Sequence, residues 1–171
     1  MSLVVATSSE TEIERNDEPW KYPYVAAVVD FGSNFGVRVN KDSSARIGYF
    51  INVQIVINSV NKTVIGFLDE FCLNHDIHGR PRQSTDNYRL EIARRDDVYR
   101  FLSLVRPYII ARETPVSIMV DELIPRLDDG QGGTQEGFVD LMEYVDEIRE
   151  HTASAAQQKY TADSFRDEFD L

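Results

Sequence analysis

Apolar and polar residues alternate in two separate stretches of this chain. From Phe35 on, Phe35, Val37 and Val39 share one face, with Gly36, Arg38 and Asn40 on the other. After the turn Lys41-Asp42-Ser43-Ser44, Ile47, Tyr49, Ile51, Val53, Ile55 and Ile57 oppose Arg46, Phe50, Asn52 and Gln54. Period two with one apolar side is the pattern of strands covered on a single face. Asn61 or a neighbour then starts a helix whose Val64, Ile65, Leu68, Phe71 and Cys72 keep helical spacing, and Gly79 and Pro81 mark its exit. A second strand pair is predicted from Arg80 to Ser84 and from Tyr88 to Arg94, joined by Thr85-Asp86-Asn87. Three helical stripes follow: Val98 to Val105, Val116 to Ile124, and Phe138 to Ile148. A short apolar helix, Tyr24 to Val29, precedes the first strand and breaks at Gly32 and Ser33. Paired strands between helices predict an α+β domain, with helices on one face of an antiparallel four-stranded sheet and the other face open.

The pattern also sets boundaries. Residues 1–22 are polar and acidic and read as an arm, residues 23–150 as the folded domain, and residues 151–171 as a weakly held acidic tail. Formal charge is −11, with 29 acidic against 18 basic residues, which alone argues against a nucleic-acid partner. Its distribution reverses that inference. The excess acid lies in the two ends, and residues 23–122 are balanced. Lysine occurs only at Lys21, Lys41, Lys62 and Lys159, the other basic residues being arginine. An acidic, lysine-poor surface suits a high-salt cytoplasm and points to a halophilic source; an acidic regulatory tail is the alternative. Cys72 is the single cysteine, which excludes an internal disulfide and points to an intracellular setting. No apolar run reaches the ~20 residues that span a bilayer, so the expected location is cytoplasmic.

The open face concentrates side chains that read base edges. It carries Arg38, Asn40, Arg46, Asn52 and Gln54 from the first strand pair, and Arg80, Arg82, Arg89 and Arg94 from the second. Arginine forks onto the two acceptors of guanine, and Asn or Gln pairs both ways with adenine in the major groove. A solvated sheet face collects the same residue types, so composition alone leaves both readings open.

Residues 24–35, YVAAVVDFGSNF, resolve the choice by likeness. They resemble a LAGLIDADG motif, with Val25, Ala26, Ala27, Val28, Val29 and Asp30 on its first six positions. FLSLVRPYIIAR, VDEL and FVDLMEYVDEI resemble the C-terminal half of the single-motif, homodimeric homing endonucleases of that family. The resemblance spans residues 23–150 and implies an αββαββα domain whose saddle-shaped sheet lies on double-stranded DNA. It also implies a C2 dimer through Val25, Ala26, Ala27 and Val28 of the motif helix, reading a pseudo-palindromic site. Ala26 and Ala27 are small enough for close approach of paired helices.

The family's reaction needs a carboxylate from each motif helix on divalent ions, here Mg2+, to activate water at the DNA backbone. Gly32 stands at the position of that acid. Asp30 is then the candidate catalytic and metal-binding residue, with Arg112 the basic residue that the family places after the Pro107-Tyr108 pair. The other role open to Asp30 is that of a turn residue bonding nearby amides. Two functions follow: a site-specific endonuclease with a displaced acid, or a DNA-binding protein on the same fold that does not cleave. His75 and His78, beside Cys72, have a metal-like spacing but lack further ligands and read as a helix end.

Overall fold

The computed structural model describes residues 18–85, 87–152 and 159–171. Helix α1 spans Lys21–Gly32, longer than the apolar run alone, because Pro23 falls in the first turn, where its missing N–H is no loss. Val25, Ala26, Val29 and Asp30 form its buried side. Ser33 closes the helix, its Oγ donating to the Val29 carbonyl at 2.6 Å while its own backbone turns extended.

Strand β1, Ser33–Lys41, pairs with β2, Tyr49–Ser59, in an unbroken antiparallel register from Ser33↔Ile57 to Lys41↔Tyr49. Asp42 Oδ1 accepts from the backbone N and Oγ of Ser44, and Gly48 takes a positive φ of 80°, so residues 42–48 form a tight loop. Arg46, expected on the second strand, lies in this loop instead, because the turn uses more residues than its polar run showed. Asn61 caps α2, Lys62–Asn74, by accepting from Thr63 N at 2.9 Å. Strands β3, Arg80–Gln83, and β4, Tyr88–Ile92, complete a sheet of order β1-β2-β4-β3.

Helix α3, Arg95–Val105, follows, then a 3-10 turn at Arg106–Tyr108. The next helical stretch runs as α4, Glu113–Ser117, a π segment, Ile118–Leu123, and α5, Ile124–Asp128. Pro125 accounts for the π segment: it supplies no N–H to the preceding turn, and the helix widens where that bond is missing. Helix α6 spans Gln135–Glu150 and α7 spans Ala162–Phe169. The α+β class, the αββαββα order and the four-stranded sheet agree with the sequence reading.

Tyr49, Ile51, Val53, Ile55 and Ile57 point from β2 into one core with Leu90 and Ile92 of β4, and α1, α2 and α3 cover them. The C-terminal end corrects the expectation of a loose tail. Thr161 and Ser164 form a capping box, and Phe165 is fully buried, 4.9 Å by ring centroid from both Phe138 and Tyr49. Its apolar spacing, Ala162, Phe165 and Phe169, is only three residues wide within an acidic segment, too brief to stand out by periodicity. Residues 1–17, most of the expected arm, lie outside the described residues. Among the described residues no helix is long and apolar enough to cross a membrane.

Candidate nucleic-acid interface

The uncovered sheet face is assembled by strand parity. The register sets Arg38 opposite Asn52, Gly36 opposite Gln54 and Asn40 opposite Phe50, with all six on the face away from the helices. Glycine at 36 has a steric reason. A Cβ there would lie 2.6 Å from Gln54 Cγ and 2.7 Å from its Nε2, so only glycine lets the Gln54 side chain lie flat across β1. Gln54 is in consequence 5% exposed. With its amide oxygen turned toward Arg38, it accepts from both Arg38 Nε and Nη2 at 3.1 Å.

On the other half of the sheet, Arg80, Arg82 and Arg89 share the open face, as expected from the pattern. Glu91 sits among them, a residue that a reading of the basic side chains alone passes over. It lies 3.4 Å from Arg89 Nη2 and 3.9 Å from Arg82 Nε. The alternation Tyr88, Leu90, Ile92 already places residue 91 on this face, so the signal is in the sequence. Arg94 departs from the expectation. It precedes α3, on the parity of the covered face, and pairs with the buried Asp97 at 3.6 Å and with His78 Nδ1 at 3.3 Å. His75 packs on Phe71 and Tyr22, and burial pushes the Cys72 thiol up to about 12.

At the end of α1 Asp30 bonds backbone amides, the second of the two roles its sequence position leaves open. The Asp30 carboxylate is 9% exposed and accepts three backbone amides: Ile110 N at 2.9 Å and Ala111 N at 3.2 Å on Oδ2, and Arg112 N at 3.1 Å on Oδ1. Arg112 Nε donates in turn to the Asp30 carbonyl oxygen at 3.0 Å. Burial lowers the Arg112 pKa, and the Asp30 charge opposes that shift. Asp30 thus fastens the motif helix to the segment after the 3-10 turn. Gly32 is not required by the backbone. A Cβ there would meet only Asn58 O at 3.8 Å and Val28 Cγ1 at 3.9 Å, ordinary contacts. The position has room for a Cβ, and among the described residues no three His, Cys, Asp or Glu side chains are grouped to hold a metal ion.

The expected dimer-forming set also divides. Val25 and Ala26 are fully buried in the chain's own core, whereas Ala27 is exposed and Val28 half-buried. The outward stripe is Trp20, Tyr24, Ala27 and Phe31, spaced four, three and four residues apart. Phe31 is 88% exposed, and Ile110, whose amide binds Asp30, is 84% exposed. Both large apolar side chains stand where the Asp30 carboxylate joins their two segments.

A four-stranded antiparallel sheet of order β1-β2-β4-β3, open on one face and backed by helices on the other, defines an α+β architecture. The particular fold is that of the LAGLIDADG homing endonucleases. The chain superposes on the archaeal intron-encoded homing endonuclease I-Vdi141I, solved with DNA, at a TM-score of 0.75 and 17% identity, covering 91% of this chain and 99% of that one. It matches the homing endonuclease I-CvuI, solved with a DNA target and Mg, at 0.74 and 11% identity over 86% and 91% of the two chains. For the LAGLIDADG homing endonuclease I-LtrWI, bound to target DNA, the score is 0.68 at 13% identity over 88% of this chain and 48% of that one. This chain therefore spans about half of I-LtrWI. No protein-family model and no curated protein matches the sequence.

Proposed function

We propose that this protein binds double-stranded DNA sequence-specifically as a homodimer and does not cut it. Glycine at 32, where the resemblance places the catalytic acid and where a Cβ would fit, carries the second half of the reading. The only carboxylate nearby on the motif helix, Asp30, is committed to three amides. The first half is supported by the arginines on an open sheet, since a two-stranded ribbon fits the major groove. The apolar stripe on its motif helix, with Phe31 almost fully exposed, supports pairing of two copies over a pseudo-palindromic site. Asn40, Asn52, Arg38, Arg80, Arg82 and Arg89 are its reading and phosphate-contacting side chains. Arg46, on the exposed loop, contacts the backbone. A saline cytoplasm fits the acid at the chain ends and leaves base contacts to supply more of the affinity, because salt weakens phosphate binding steeply.

The test is selection of duplexes from a random pool, followed by incubation with Mg2+ in potassium-rich buffer. The wild type should retain selected DNA intact, and Gly32→Asp should gain Mg2+-dependent cuts at the same site. Strand cleavage by the wild type, lost in Asp30→Asn without unfolding, would favour the displaced-acid endonuclease instead.

A further inference from the structure

We propose that Gln54 acts as a positioning residue that makes Arg38 selective for guanine, an inference that rests on the DNA-binding reading above. From residue type alone Gln54 is an adenine reader, since a free amide offers a donor and an acceptor to the adenine edge. Its surroundings remove that role. The side chain is 5% exposed, laid over the space left by Gly36, and its oxygen is held by two N–H groups of Arg38. What it does instead is hold the guanidinium.

A guanidinium has five N–H donors in a rigid plane. Gln54 engages Nε and one hydrogen of Nη2, at 3.1 Å each. The Nη1 and outer Nη2 hydrogens remain, and they are the pair that meets guanine O6 and N7 side by side. An arginine held along one edge by a buried neighbour keeps this fork in a single orientation. A loose arginine on an exposed strand samples many rotamers and settles equally on a phosphate. Asn52 is the residue directly opposite Arg38 in the register. Gly36, Gln54 and Arg38 therefore act as one unit: the glycine makes the space, the amide fills it, and the guanidinium reads.

The experiment measures binding of the full-length chain to selected duplexes carrying each base pair in turn at the position whose preference is lost in Arg38→Ala. The wild type should prefer guanine there by about tenfold or more. Gln54→Met fills the same space without an acceptor and should reduce the preference to about threefold or less, with little change in affinity for the other bases. Gly36→Ala, which displaces Gln54, should do the same. Gln54→Glu keeps an acceptor for Arg38, so the guanine preference should survive while affinity falls evenly across all four base pairs. A guanine preference that survives in Gln54→Met overturns the inference and leaves DNA binding standing. A wild-type preference for adenine that vanishes with Gln54 also overturns it. Failure of the wild type to select any duplex overturns the DNA-binding reading and this inference together.

Discussion

Asp30 and Arg112 are joined in both directions: the Asp30 carboxylate receives the Arg112 amide at 3.1 Å, and the Arg112 side chain donates to the Asp30 carbonyl at 3.0 Å. With the amides of Ile110 and Ala111 on the other carboxylate oxygen, this clamp bridges eighty residues of sequence. Asp30→Asn replaces one oxygen with a donor that faces an amide N–H. Hydrogen bonds to a charged group are worth ~1.5–3 kcal/mol each, so the variant should lose roughly 2–4 kcal/mol of stability. Urea unfolding of the two proteins measures this, and an unchanged midpoint would show that the clamp is dispensable.

The outward stripe on α1 predicts self-association. Ala27→Arg, which places a charge at the centre of the stripe, and Phe31→Ser, which removes its most exposed side chain, should each convert a dimer to monomer with the fold retained. Both residues are exposed, so stability should move by no more than about 0.5 kcal/mol. Sedimentation equilibrium reads the mass directly. A wild type that stays monomeric at high concentration would remove the two-fold site from the proposed function.

Glu91 partly neutralises the arginine face from within. Glu91→Gln frees Arg82 and Arg89 from their ion pairs at 3.9 and 3.4 Å. Duplex affinity should rise several-fold, and the slope of log affinity against log salt should steepen by about one for each additional phosphate that a freed arginine neutralises. Titration at several potassium concentrations measures both. No change in slope would place this half of the sheet away from DNA.

Phe165 makes the C-terminal helix part of the core. Phe165→Ala should cost about 3–5 kcal/mol, as for other buried aromatic truncations. Removing residues 161–171 should be at least as severe, because Tyr49 would also lose the Glu168 carboxylate that its hydroxyl reaches at 2.7 Å. Thermal unfolding distinguishes this from a dispensable tail, whose loss would leave the midpoint in place.

Much of the fold is legible along the chain because its strands are one-sided. Ile51, Val53, Ile55 and Ile57 alternate so regularly that the paired face, its partner strand and the helices covering it follow from period alone. Asn61 is legible as a cap because a side-chain acceptor one residue before a helix has a local use. Arg46 is not, because a loop of seven residues and a strand start can share the same polar spelling. The inward side of α1 is not legible either: Val25 through Val29 are apolar all round, so no periodicity tells which of them meets the sheet.

The sequence by itself determined the α+β class, the two strand pairs and the arginines of the open face. These rest on patterns that repeat within a few residues, which local backbone geometry alone converts into faces. Tertiary structure alone decided that Asp30 clamps three distant amides, that Ala26 is core while Ala27 is surface, and that Gln54 meets the Arg38 guanidinium. Each depends on atoms brought together from distant segments: amides eighty residues away, a sheet packed beneath a helix, and a neighbouring strand with no side chain at position 36. The physical reason is that hydrogen-bond capacity and free volume belong to the packed site, and no single stretch of chain carries them.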